Sequence, residues 1–224
     1  MKRRILLSWS SGKDSAWALH CLRQDDSLEV AGLLTTVNAE YERISMHGVR
    51  NALLQIQAEA VGVPLEKITI PHPCPNSIYE RLMGEAIDRA RVQGIEAVAF
   101  GDLFLEDVRA YRERMMEGTG LEPLFPIWGI PTSELARTMV ASGQRAILTC
   151  VDPRQCSPRF LGRTFDDDLL DELPETVDPC AENGEFHTFA TQGPAFRKRV
   201  ETTIGERVER EGFHFIDLLP APAD

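Results

Sequence analysis

Residues 6–20, "LLSWSSGKDSAWALH", decide how the rest of the chain is read. An apolar run enters this stretch and an apolar-periodic run leaves it. It therefore joins a buried strand, ending near Trp9, to a helix starting near Asp14 or Ser15. Ser10, Ser11, Gly12 and Lys13 fill the joint. A helix N-terminus carries unpaired N–H groups and a partial positive charge, and small residues let those groups approach an anion closely. Hydroxyls from Ser8, Ser10, Ser11 and Ser15 and the Lys13 ammonium add donors, so the joint reads as a phosphate cradle. It is not a Walker A loop, because Asp14 follows Lys13, and it is not G-x-G-x-x-G. A plain turn capped by Asp14 or Ser15 is the competing reading.

Outward from the joint, strand and helix patterns alternate. "LEVAGLLTTV", "VPLEKITIP", "IEAVAFGD" and "QRAILTCVD" read as strands. "NALLQIQAEAVG", "NSIYERLMGEAIDRARVQG", "LEDVRAYRERMMEGTG" and "PTSELARTMVASG" read as helices, several closed by a glycine. Strands separated by helices of this length are parallel and joined by crossovers, which gives an α/β doubly wound sheet. After about residue 150 the rhythm breaks into a stretch rich in proline, glycine and aspartate, and the tail "RKRVETTIGERVEREGFHFIDLLP" reads as two or three strands. Two domains are expected, 1–143 and a smaller α+β domain at 144–224.

Composition narrows the classes. The 224 residues carry a formal net charge of -11, which gives no global attraction to nucleic acid or anionic lipid. No run approaches a membrane helix, and the N-terminal apolar stretch is too short for a signal peptide, so a cytoplasmic location is expected. Five cysteines without a C-x-x-C argue against a disulfide framework or a zinc ribbon.

The joint Ser10-Ser11-Gly12-Lys13-Asp14-Ser15 resembles the "SGGxDS" loop of the N-type ATP pyrophosphatases, with Ser11 where that family most often has glycine. Those enzymes cleave ATP between the α- and β-phosphates and transfer AMP. "HGVRNALLQIQAEAVGVPL" (47–65), "FGDLFLEDVRAYRE" (100–113), "PLFPIWG" (123–129) and "CAENGEFHTF" (180–189) follow in order. Together they resemble the diphthine–ammonia ligase family, which amidates diphthine to diphthamide on elongation factor 2. The resemblance covers nearly the whole chain. It implies a Rossmann-like PP-loop domain of the HUP class that binds ATP, followed by a smaller domain carrying Gly184-Glu185-Phe186-His187-Thr188 toward the cleft.

On that resemblance, Lys13 neutralises phosphate charge, and Asp14 and Asp102 are candidate Mg²⁺ ligands. Ser8, Ser10, Ser11, Gly12, Lys13, Asp14 and Ser15 would hold the phosphates. The adenine is expected beside Leu34, Thr35 and Thr36, where a strand ends, with His47, Gly101 and Asp102 completing the nucleotide site. Glu106 and Arg109 are further candidates for the cleft, with a surface pair as the alternative. If the segment is extended, Glu185 and His187 point to the same side and form a catalytic pair that orients an amine or the carboxylate substrate. The reaction implied is adenylation of a carboxylate, on a diphthine-bearing elongation factor or a small molecule, followed by amide formation with ammonia. The alternatives are a sulfur-transferring RNA-modifying enzyme on the same scaffold and a non-catalytic ATP sensor. The first calls for reactive cysteines and a basic surface; the second would tolerate loss of Glu185 and His187.

Overall fold

The computed structural model describes residues 2–40, 43–44 and 49–222. Its first part runs β1 (Arg3–Ser8), α1 (Lys13–Gln24), β2 (Leu28–Asn38), the two-residue β3 (Arg43–Ile44), α2 (Asn51–Val61), β4 (Leu65–Ile70), α3 (Asn76–Val92), β5 (Ala97–Ala99), α4 (Glu106–Met116), β6 (Glu122–Leu124) and α5 (Thr132–Ala141). Strands β4, β2, β1, β5 and β6 pair side by side and all parallel, while β3 pairs antiparallel with the end of β2. The winding direction reverses between β1 and β5. That reversal opens a crevice at the carboxyl ends of the strands, where ligands of open α/β sheets sit.

Both faces of this sheet are covered, which is why its strands read as apolar runs rather than alternations. Ile5 and Leu7 of β1, Leu33 of β2 and Ala97 of β5 pack in one core with Leu19 of α1, Leu53 of α2 and Leu135 of α5. Leu6, Leu34 and Val98, one residue out of phase, pack on the other side with Met83 and Ile87 of α3. Helix α2 stops where expected, because Gly62 takes a left-handed φ of 68° and its N–H closes on Ala58 O.

The second part contains β7 (Arg145–Val151), a 3₁₀ turn at Pro158–Phe160, α6 (Asp167–Glu172), β8 (Phe186–Gln192), β9 (Thr202–Arg210) and β10 (Phe213–Pro220). Its strands form an antiparallel sheet in the order β8-β7-β10-β9. The tail supplies two strands, closed by Glu211 and Gly212, which both have positive φ as a tight hairpin turn requires. Asp166 caps α6, accepting from Leu169 N at 2.9 Å, so the acidic run is a helix start. Phe189 and Ala190 of β8 and Leu148 of β7 belong to the same core as Ile5 and Leu19, so one apolar cluster serves both sheets. Among the described residues, no helix is long and apolar enough to cross a membrane.

Candidate active site

The joint between β1 and α1 is clamped from behind by the second sheet. Ala190 N–H donates to Ser11 O at 2.8 Å, and Lys13 N–H donates to Thr188 Oγ1 at 3.1 Å. Gln57, fully buried on α2, accepts from Trp9 Nε1 at 2.8 Å and donates from Nε2 to Ser11 O at 3.0 Å and Ala190 O at 2.7 Å. Gln144 Nε2 donates to Lys13 O at 2.8 Å. Helix α1 begins at Lys13 with Gly12 as N-cap; Gly12 offers no capping side chain, and the Thr188 hydroxyl takes the Lys13 N–H from the second sheet. The competing capped-turn reading of Asp14 or Ser15 therefore does not hold: both lie inside the first turn.

Ser11 takes φ 67°, the left-handed backbone that favours glycine. Its hydroxyl is sealed in the core and has no hydrogen-bond partner, so the Ser11 side chain is not a phosphate donor in this arrangement. Holding a side chain in that conformation costs about 1–2 kcal/mol, offset by about 0.5–1 kcal/mol of extra unfolded-state freedom for glycine. Ser11→Gly is expected to raise the melting temperature by roughly 2–4 °C, measured by calorimetry, with nucleotide binding retained.

In front of the joint a cavity of ≈ 480 Å³ opens at the switch point, within the range of small-molecule sites. Ser8, Ser10, Lys13, Asp14 and Ser15 line it from the joint, Thr35 and Thr36 from β2, and Gly101 and Asp102 from the end of β5. Leu34, Ile70, Met83, Ile87, Phe100 and Met116, all of one core cluster, supply an apolar wall. Cys180, Glu182, Gly184, Phe186, His187 and Thr188 enter from the second part of the chain. Thirteen residues were expected to hold the nucleotide. Ten of them line this cavity; Ser11 and Gly12 lie behind it, and His47 falls outside the described residues. Gly101 is confined by the backbone of α1: a Cβ there would meet Ser15 N at 3.2 Å and Asp14 C at 3.3 Å.

Lys13 is 2% exposed. Its Nζ donates to Asp14 Oδ2 at 2.9 Å and to Cys180 O, and it lies 5.6 Å from the ring centroids of Phe165 and Phe186. Burial comes first and alone would lower the lysine's pKa, but the Asp14 carboxylate outweighs it with help from Asp178, so the ammonium stays charged. Burial raises the Asp14 carboxyl, against the pull of Lys13, and its second oxygen, Oδ1, is buried without a partner. Asp102 meets Arg112 Nε at 3.4 Å.

Two expectations are corrected here. Glu185 does not join His187. Strand β8 starts at Phe186, so Glu185 belongs to the preceding turn and two-residue alternation does not apply to it. Its Oε1 accepts from Asp178 N at 3.0 Å and Asn183 Nδ2 at 3.1 Å, it is 2% exposed, and it is not on the cavity wall. Arg109 and Glu106 do not line the cavity either. Arg109 stacks on Phe125 and Trp128, 4.8 and 4.9 Å from the ring centroids, and pairs with Glu113. Arg112, one turn further along α4, lines the cavity instead. Sequence reading passed over Glu182, although it sits inside the quoted 180–189 block and lines the cavity. Burial first, and then the Asp14 and Asp102 carboxylates, push its pKa up to about 7 against hydrogen bonds from Leu103 and Phe104 N–H.

The three buried thiols do not suit covalent chemistry. All five cysteines are free. Burial pushes Cys150 up to about 12, Cys156 up to about 11 and Cys180 higher still, so thiolate is scarce at each. Iodoacetamide at about pH 8 is expected to spare Cys150, Cys156 and Cys180 in the native protein and to label them after unfolding, read by peptide mass spectrometry.

Comparison with known proteins agrees with this arrangement. Residues 1–123 match the family model of the diphthamide synthase N-terminal domain, and residues 131–218 match that of its C-terminal domain. The chain is 27% identical to a diphthine–ammonia ligase of Rattus norvegicus, over 92% of this chain and 85% of the relative. It is 24% identical to that of Homo sapiens over the same shares, and 26% identical to that of Danio rerio over 92% of this chain and 88% of the relative.

Proposed function

The chain belongs to the diphthamide synthase family, and from that premise we propose that it is an ATP-dependent, AMP-forming ligase that converts a carboxylate to an amide with ammonia. The observation that carries the reading is a single cavity combining the N-terminal turn of α1, with Lys13, Asp14 and Ser15 on its wall, a buried charged lysine and a contiguous apolar wall. ATP fits it with its adenine on the wall around Leu34, Ile70 and Phe100 and its phosphates over Ser10, Lys13 and Ser15. A carboxylate oxygen attacks the α-phosphorus, pyrophosphate leaves, and ammonia then displaces AMP from the acyl carbon. Lys13 stabilises the charge that builds on the phosphates. His187 binds on the acceptor side of the same cavity.

The acceptor we assign is the diphthine side chain of an elongation factor, as the names of the relatives suggest. The division of labour we assign is ATP binding to residues 1–143 and acceptor handling to 144–224. We assign the protein a reducing, cytoplasmic location, a reading that the five free cysteines support.

Mg²⁺ fits the donors in part. The orphaned Asp14 Oδ1 offers one carboxylate oxygen, while Asp102 is engaged by Arg112. Among the described residues, no group of three or more His, Cys, Asp or Glu could hold a metal. Asp14 would therefore bind the ion together with the phosphates of the nucleotide, the usual arrangement for Mg²⁺. Bound there, it would neutralise the departing pyrophosphate.

The sulfur-transfer alternative lacks support, because the buried thiols disfavour thiolate. The test is direct. Purified protein, ATP, Mg²⁺ and nitrogen-15 ammonium are incubated with diphthine-bearing elongation factor 2. Nitrogen-15 in the acceptor, dependent on ATP, is the expected result; none under any condition would remove the reading.

A further inference from the structure

Between Asp178 and Glu185 the chain makes a turn built from its own carboxylates. Asp178 Oδ1 accepts from Cys180 N at 3.3 Å and its Oδ2 from Glu182 N at 2.8 Å, while Glu185 braces the turn through Asp178 N at 3.0 Å. The turn delivers the half-buried Glu182 side chain to the cavity wall, against the loop that follows β5. There Leu103 N–H donates to Oε1 at 2.7 Å and Phe104 N–H at 3.5 Å. Both bonds fall on the same oxygen, so the carboxylate is oriented by backbone donors, and among the described residues no basic side chain pairs with it.

We propose that Glu182 receives the incoming ammonium ion and removes its proton, a role that rests on the ligase reading above. Amide formation needs neutral ammonia, whereas the form abundant in neutral water is the ammonium cation. A cation-accepting base at the cavity wall therefore has a task that neither Lys13 nor the phosphate joint can perform. Asp14 and Asp102 share the cavity, but each already has a basic partner, Lys13 and Arg112, which leaves Glu182 as the carboxylate available to a small cation. The other ionisable groups on the wall are Lys13 from α1, Tyr79 from α3, Arg112 from α4, Cys180 from the same turn and His187 from β8. The raised pKa of Glu182, about 7, suits a base that must both take and release a proton near neutrality.

The step balances. Glu182 takes one proton from NH₄⁺. The nitrogen lone pair so freed forms the C–N bond at the acyl carbon, and the C–O bond to AMP breaks with its electron pair leaving on AMP. The remaining surplus proton passes from nitrogen to water.

Glu182→Gln keeps the carbonyl acceptor for Leu103 and Phe104, and it is tested with diphthine-bearing elongation factor 2 as acceptor. ATP–pyrophosphate exchange without ammonium, which reads adenylation and folding, should match the wild type. Ammonium-driven amidation should fall by about 10²–10⁴-fold. Hydroxylamine, a nucleophile already unprotonated at neutral pH, should restore turnover. The wild-type ammonium reaction should rise with pH through a midpoint near 7 and level off above it, whereas in the variant, which can use only free ammonia, the midpoint should move up toward ammonium's own pKa. The proposal is overturned if amidation with ammonium is unchanged, if hydroxylamine turnover falls by the same factor, or if exchange is lost. A wild-type chain with no exchange at all would instead remove the ligase reading, and Glu182's role with it.

Discussion

Lys13→Ala is expected to lower AMP formation by a factor on the order of 10²–10³ and to lower stability as well. Two separate reasons act at one atom. The Lys13 ammonium is the buried positive charge on the cavity wall at the phosphate joint, so its loss removes transition-state stabilisation as pyrophosphate departs. It is also the partner of Asp14, and deleting one member of a buried pair leaves the other uncompensated. A fully buried pair would cost about 3–5 kcal/mol. The Asp14 side chain keeps 25% of its exposure through the cavity, so the lower end applies, a melting shift on the order of 10 °C. Lys13→Arg separates the two effects in part: it keeps the charge beside Asp14 but does not fit between the Phe165 and Phe186 rings and Cys180 O, so it should lose activity while the stability loss stays smaller than in Lys13→Ala. Thermal denaturation and initial-rate assays on both variants check this. Full activity in Lys13→Ala would contradict the assignment.

Gln57→Leu should carry the second large effect, on stability and on the ATP site together. Leucine is close in volume, so the change leaves little cavity. It does strip three buried partners at once: Trp9 Nε1, Ser11 O and Ala190 O. Ser11 O and Ala190 O differ in their insurance, since Ser11 O still accepts from Ala190 N–H. With each newly unsatisfied buried group costing about 1–3 kcal/mol, a loss of roughly 3 kcal/mol is expected, or about 6–12 °C in melting temperature for a chain of this size. Because the same amide fixes the left-handed Ser11 turn, ATP affinity should fall although Gln57 is not on the cavity wall. Denaturant titration and nucleotide binding by calorimetry measure the two quantities. A stable variant with unchanged ATP affinity would mean the loop is held by its own conformation alone.

The parts of this account that were legible in the sequence are the local ones. A strand, a small-residue joint and an amphipathic helix within residues 6–20 dictate both a parallel sheet and an anion site, because helix dipole and exposed N–H groups follow from chain geometry alone. The departure at Ser11 carried meaning too: the structure puts that serine in the glycine-like conformation. Long-range placement was not legible. Gln57 and Ala190 are 133 positions apart, and nothing in either neighbourhood announces their bond. Glu185 and Glu182 lie three apart in one turn, and only the start of β8 at Phe186 decides which faces the cavity. The exchange of Arg109 for Arg112 has the same origin: a three-residue step along α4 selects between the aromatic pair and the cavity, and periodicity fixes the step but not the phase.

The central claim is the bond that is cut in ATP, and product identity tests it most directly. ATP labelled at the α- and γ-phosphates is supplied with Mg²⁺, ammonium and diphthine-bearing elongation factor 2, and the nucleotides are separated against time. AMP and pyrophosphate in equal amounts, matched mole for mole by amide and abolished together in Lys13→Ala, is the predicted result. ADP and inorganic phosphate matched to amide would contradict it, because activation would then run through an acyl phosphate and not through the adenylate for which this cavity is assigned.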